Sequence, residues 1–205
     1  MRRFIEELAR TQPLPTRLVL PLLLNPKTAG FVVDNVLPQA LRASFAAALA
    51  DTVSATVLRA GDKVNVIPSS AEAKLDGRTV PGHDGRDLID QVRERIGAEV
   101  DITLDSDDPP MEFSADTPLF RLLADTLRRA DPTGIPVPYM IPGYTDAKAY
   151  GRLGITCYGF SPTRFPVGSV VFSKMYHGHD ERVHIDGFKW GFDVLMKAVR
   201  TWVTT

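Results

Sequence analysis

Residues 51–61 read DTVSATVLRAG, and residues 70–78 read SAEAKLDGR. In the first stretch Val53, Ala55 and Val57 alternate with Thr52, Ser54 and Thr56. In the second, Ala71, Ala73 and Leu75 alternate with Glu72, Lys74 and Asp76. A period of two sends successive side chains to opposite faces, so each stretch predicts a strand with one apolar face. Working outward, HDGRDLIDQVRERIG (83–97) sets Leu88, Ile89, Val92 and Ile96 on one helical face and closes on Gly97, a helix stop. AEVDITL (98–104) predicts another strand. Upstream, QALRASFAAALA (39–50) consists of strong helix formers with Leu41, Phe45 and Leu49 on one side. RRFIEELAR (2–10) gathers Phe4, Ile5 and Leu8 into a short amphipathic helix. Residues 11–38, proline-rich and mixed in pattern, read as a connecting segment. Helix, strand, strand, helix, strand over residues 1–104 is the plan of a ferredoxin-like α+β sandwich without its first strand.

The polar, proline-containing run DSDDPPMEFSAD (105–116) reads as a domain boundary. Beyond it, TPLFRLLADTLRRAD (117–131) offers Thr117 as N-cap, Pro118 in the first turn and a face of Leu119, Leu122, Leu123 and Leu127. GIPVPYMIPG (134–143) and GITCYGFSP (154–162) read as short buried strands flanking a short helix in YTDAKAYGRL (144–153). GSVVFSKMYH (168–177) reads as a further extended segment. In the last helix Asp186 is placed to cap, and Phe188, Phe192, Leu195, Val199 and Trp202 form an apolar stripe. Helices alternating with apolar strands predict an α/β layer.

The 205 residues are 44% hydrophobic and 24% charged, a globular balance that can bury a core. A net charge of -1 gives no reason to expect nucleic acid or an anionic membrane as partner. One cysteine, Cys157, excludes a disulfide within the chain and favours a reducing compartment. No apolar run approaches the roughly 20 residues that a bilayer span takes, and the first ten residues lack a signal-peptide core. These features predict a soluble, cytoplasmic protein.

Three stretches can carry chemistry. YHGHDERVHID (176–186) holds three of the four histidines, and His177 stands where an apolar segment meets a loop. Imidazole is a common zinc ligand, but zinc takes three or four ligands; on composition this is either a metal site or a polar loop. In IPGYTDAKAYGRLG (141–154), Gly143 permits close backbone approach, and Thr145 and Asp146 precede a helix start that suits a carboxylate. An ordinary capped helix explains the same residues. In NVIP (65–68) and LDGRTVPG (75–82), Asn65 and Arg78 flank a strand. Arginine there can bind a carboxylate bidentately or be a solvated edge charge.

The order and wording of NVIP, AEAKLDGRTVPG, GYTDAKAYGRLGITCYGFSP and HGHDERVHIDGF resemble the zinc aminoacylase and carboxypeptidase family, which includes succinyl-diaminopimelate desuccinylase and acetylornithine deacetylase. The resemblance implies a ferredoxin-like lid (dimerisation) domain over 1–106 that lacks its first strand. It implies the C-terminal part of an α/β zinc-peptidase catalytic domain over 107–205. It assigns His177, in an H…E pattern with Glu181, as a zinc ligand. Asn65 and Arg78 become lid residues that reach substrate, and Gly143, Tyr144 and Thr145 the loop that holds the substrate carboxylate.

The family's His-x-Asp pair, bridging Asp, Glu-Glu pair and further acidic ligand would lie upstream of the lid, so the resemblance covers the C-terminal portion only and places no catalytic base in this chain. Glu6-Glu7 belongs to the first helix, and His184-Ile185-Asp186 runs into the last helix; neither substitutes. His83, in a turn, is a poor stand-in for the lid histidine of the family. His179 reads as an orienting neighbour of a metal ligand or as a surface residue, His184 as structural, and Cys157 as core. The implied activity is hydrolysis of amide bonds in N-acyl amino acids or small peptides, near a free carboxylate, by water activated on two zinc ions. The expectation for this chain alone is inactivity, with zinc held weakly or not at all, in a homodimer or higher oligomer. The alternative is a non-catalytic dimerising or peptide-binding remnant.

Overall fold

The computed structural model describes residues 1–141, 143–166 and 179–204. The chain forms two compact units. The first comprises residues 1–112 and 139–155, the second 113–138 and 156–205.

Unit 1 begins with a helical core. Helix α1 (Arg2–Arg10) buries Ile5 completely and Ala9 nearly so, as its spacing predicts. The proline-rich segment is not a plain connection. It folds as α2 (Thr16–Val19), a 3-10 turn (Leu20–Leu24) and α3 (Pro26–Asn35). Proline obscures helical periodicity, yet at the first helical position its missing N–H costs nothing. Pro26 opens α3 in this way, and the Asn25 side chain caps it by accepting from Lys27 N–H. Leu20, Leu23, Val32, Val33 and Leu37 from these pieces join Ile5, Ala9 and Phe45 in one cluster, with Phe4 and Leu8 packed against it. Helix α4 (Gln39–Leu49) contributes Phe45 and Ala48, while Leu41, expected inside, is 42% exposed.

Strands β1 (Thr52–Ala60) and β2 (Ala71–Arg78) pair antiparallel. Partners run Val53↔Gly77, Ala55↔Leu75, Val57↔Lys74, Leu58↔Ala73. The shift between Ala55 and Val57 is a β-bulge at Thr56, whose hydroxyl donates to Lys74 O. The bulge corrects the simple alternation. Val57 moves to the polar face with Lys74 and Asp76, and Leu58 joins the apolar face with Val53, Ala55, Ala73 and Leu75. A two-stranded ribbon is marginal alone. Helix α5 (Gly85–Ile96) covers one end of its apolar face by laying Leu88 where a side chain on Gly77 would sit. The other end is open, with Leu58 76% exposed.

Helix α5 opens on a capping box. Asp84 accepts from Arg86 and Asp87 N–H, Asp87 accepts from Asp84 N–H, and Gly97 ends the helix at φ 89°. Residues 98–104 do not form the expected strand. They run irregularly past the start of α5, where Asp107 accepts from Gly85 N–H. A ladder needs a neighbour; among the described residues the only sheet is β1–β2.

Unit 2 packs α6 (Pro118–Ala130) against α8 (Ile185–Val203); α7 (Ala147–Arg152) belongs to unit 1. Thr117 caps α6 as expected, accepting from Phe120 N–H, and its hydroxyl lies 2.6 Å from Tyr158 Oη. Helix α8 is capped by His184 rather than Asp186: His184 Nδ1 accepts from Gly187 N–H. Its buried face also differs from the expected stripe. Gly187, Gly191, Val194 and Ala198 face inward, whereas Phe188, Phe192, Leu195, Val199 and Trp202 are 38–56% exposed. The glycines decide this. A side chain on Gly187 or Gly191 would strike the backbone carbonyl of Arg164 or Pro162, so this face alone lets the loop approach. No helix among the described residues is long and apolar enough to cross a membrane.

Candidate functional site

Asn65 lies exposed in the turn region joining β1 to β2, beside Val64, Val66 and Ile67, themselves 55–109% exposed. Arg78 closes β2 at the opposite end of the ribbon, paired with Thr52. The eight residues of β2 separate the two ends by roughly 24 Å. Arg78 stands on the polar face and donates from Nε and Nη2 to Asp76 Oδ2, both at 3.1 Å. Its fork is therefore held in a carboxylate-binding pose by a neighbour on its own strand.

Gly143, Tyr144 and Thr145 are exposed and lead into α7. Gly143 is not among the glycines with positive φ. Asp146 occupies the N-cap without a side-chain cap bond. Lys148 Nζ lies 5.2 Å from the Tyr144 ring centroid and donates to Asp108 O at 2.6 Å, and Arg152 pairs with the Asp108 carboxylate. This loop is thus pinned to residue 108 by a cation–π contact and two charged partners.

His177 lies outside the described residues. His179 is exposed, and Cys157 is half-buried. Among the described residues no group of three His, Cys, Asp or Glu side chains converges to hold a metal ion.

One polar cluster escaped the sequence reading. The Asp51 side chain is only 2% exposed. It accepts from Val80 N–H at 2.8 Å and Gln91 Nε2 at 2.6 Å, with His83 Nδ1 at 2.6 Å from its second oxygen. It thereby ties the start of β1 to the turn after β2 and to α5. Burial pushes the Asp51 carboxyl up, but the bonds from Val80, His83 and Gln91 outweigh it and hold the group below the usual carboxylate range. The same bond, with the Asp51 charge, raises His83. No local motif announces a contact across 40 residues, so the spacing of Asp51, His83 and Gln91 carried no signal. On the polar face of the ribbon, Lys74 bonds Asp105 at 2.6 Å, which raises its pKa.

In unit 2, Arg164 lies 4.1 Å from the Trp190 ring centroid and pairs with Asp131 at 3.3 Å. A shallow, largely apolar hollow of about 320 Å³ opens beside them and His184. It contains none of the residues expected to act.

Residues 1–102 match the peptidase dimerisation domain of the M20 peptidases. A probable carboxypeptidase S-like protein of Dictyostelium discoideum is 31% identical over 67% of this chain and 27% of its own length. The N-fatty-acyl-amino acid synthase/hydrolase PM20D1 of Bos taurus is 30% identical over 90% of this chain and 36% of its own. Aminoacylase-1 of Mus musculus is 27% identical over 70% and 35%. The chain thus spans about a quarter to two-fifths of the curated relatives it matches. No solved structure gives a significant match.

Proposed function

This chain is a member of the M20 peptidase family, and we propose that it forms the lid and the C-terminal catalytic segment of a hydrolase acting on N-acyl amino acids or small peptides beside a free carboxylate. The carrying observation is the alignment of 90% of the chain, at 30% identity, with a protein named for synthesis and hydrolysis of N-fatty-acyl amino acids. In this reading residues 1–106 are a ferredoxin-like lid and residues 107–205 part of the α/β catalytic domain. The complete enzyme would use two zinc ions to activate water and polarise the scissile carbonyl, with His177 as one ligand. Among the described residues no side chains converge to hold a zinc ion.

What this chain's own residues do is bind and orient. Arg78, whose Nε and Nη2 now both donate to Asp76 Oδ2, exchanges that oxygen for the substrate carboxylate. Asn65 donates its amide to the scissile carbonyl, and the Gly143–Thr145 loop seats the substrate backbone. Because Asn65 and Arg78 sit at opposite ends of the ribbon, one small substrate meets only one of them from a given ribbon. The other comes from a second copy, which fits a family match to a dimerisation domain.

The test is an NMR titration of the 205-residue chain with N-acetyl-leucine and with its decarboxylated analogue. The expected result is millimolar binding that perturbs Arg78 and weakens at least tenfold in Arg78→Ala and in the analogue. Equal binding of both compounds would overturn the reading. The second reading, a non-catalytic dimerising or peptide-binding module, is favoured by the open β1–β2 ribbon, and predicts that same carboxylate-indifferent result.

A further inference from the structure

We infer that Asp51 and His83 form a clamp that positions Arg78, and that the clamp loosens when His83 gives up its proton. This rests on the reading of Arg78 as the group that takes the substrate carboxylate. Arg78 is the last residue of β2 and pairs with Thr52, the first residue of β1. The end of a two-stranded ribbon frays at little cost, so a binding group placed there needs something to hold it. On its N-terminal side, Leu88 of α5 lies where a side chain on Gly77 would sit. On its C-terminal side, Asp51 Oδ1 accepts from Val80 N–H at 2.8 Å. The chain then turns back. Val80 O accepts from His83 N–H at 3.1 Å, with Pro81 second in the turn and Gly82 third at φ 100°, the pattern of a type II turn. The turn delivers His83 Nδ1 to 2.6 Å from Asp51 Oδ2, the oxygen that also accepts from Gln91 Nε2 of α5. The Asp51 side chain is 2% exposed, whereas that of His83 is 48% exposed and exchanges protons with solvent.

Of the groups that bond Asp51, His83 is the one whose charge changes near neutral pH. The charged groups acting on it are carboxylates: Asp51 from the start of β1, then Asp87 and Asp84 from the N-terminal end of α5. The bond to Asp51 and the Asp51 charge raise His83 above its ordinary value. Linkage is reciprocal: what Asp51 does for the His83 proton, the proton does for the hold of His83 on Asp51. The clamp is therefore complete below about pH 6.5 and slackens as pH rises through the folded value of His83. A slack clamp leaves Arg78 in place for only part of the time, and the apparent affinity falls by that fraction. Asp51 and His83 act through the backbone on either side of Arg78, so they are positioning residues.

The test compares the 205-residue chain at about pH 6 and about pH 9, on either side of the ordinary histidine value. Carbon-13 relaxation reads the order of Arg78 in the free chain, and NMR titration reads the affinity for N-acetyl-leucine. The expected result is an Arg78 more mobile at the higher pH, with affinity lower by about threefold, the step when a charge-assisted bond becomes a neutral one. His83→Gln keeps a side-chain donor that cannot change charge, and is expected to erase the difference. Asp51→Asn keeps an acceptor for Val80 N–H and keeps His83, and is expected to erase it as well. A difference of full size in Asp51→Asn would mean that the His83 charge acts on the ligand directly, and would overturn the clamp. So would a difference that survives in His83→Gln, or an Arg78 equally ordered at both pH values in the unmutated chain. If N-acetyl-leucine fails to bind at either pH while the order of Arg78 still follows His83, the clamp stands and the carboxylate role of Arg78 falls. Binding that is the same at both pH values, with Arg78 equally ordered, does the reverse.

Discussion

Asp51 shows how one residue can hold an element in place. Its carboxylate is nearly inaccessible, and three donors from three places in the chain converge on it. Removing it leaves those donors without their charged partner, which costs on the order of 2–3 kcal/mol. Asp51→Ala is therefore expected to lower the denaturant midpoint of unit 1, and Gln91→Ala, which leaves the other two donors, to cost about 1 kcal/mol. Urea titration followed by far-UV circular dichroism reads both. The pH dependence has two arms. His83 is raised in the folded state, so its contribution is complete below the unfolded value of about 6.5 and fades as pH rises through the folded value. Asp51 is lowered, so its contribution is complete above about pH 4 and fades as pH falls through the folded value. Unit 1 is expected to be most stable between about pH 4 and 6.5, with the upper arm absent in His83→Gln; denaturation midpoints across pH 3–9 check this. At this scale the sequence was legible where the partner is three residues away. Thr117 caps as expected, because a cap is a local bond, and Asp84 caps α5 through the same kind of local bond. His184 displaced Asp186 because either can accept from the first turn, and the choice depends on where the preceding loop enters.

Among the elements, α1, α4, α5, α6 and α7 form where the pattern predicts helices, and β1 and β2 where it predicts strands, with β2 keeping its alternation throughout. The misreadings have separate causes. The α2–α3 stretch hid behind its prolines. The Thr56 bulge exchanged Val57 for Leu58 on the apolar face, a choice made by cross-strand pairing and not by local pattern. In α8 the bulky stripe misled because the glycines opposite it admit a backbone that large side chains would exclude. Gly191→Ala should test that packing directly. Its methyl group meets the Pro162 carbonyl, a backbone atom with little room to yield, and the expected cost is about 3 kcal/mol. Gly77→Ala meets only the flexible end of Leu88, so its cost should be about 1 kcal/mol, near that of ordinary overpacking. Thermal melts of the two variants compare them; equal losses would contradict the packing assigned to α8.

For the whole molecule, family membership was legible because the motifs lie in short contiguous runs, and the match to a dimerisation domain over residues 1–102 agrees. The site itself was less legible. Its expected members fall on separate elements: Asn65 at one end of the ribbon, Arg78 at the other, and Tyr144 on a loop tied to Asp108. Sequence order names such residues but does not bring them together. Among the described residues, the strands expected at 98–104, 134–143 and 154–162 join no ladder, for a related reason. Alternation and apolarity specify a strand only when a neighbour is present to bond it.

The most direct measurement is hydrolysis of N-acetyl-leucine by the purified 205-residue chain with added zinc, followed by release of free leucine alongside the metal content of the protein. The account predicts release no faster than in buffer and less than one zinc per chain. Multiple turnovers abolished by a chelator, with two zinc ions retained per chain, would contradict it.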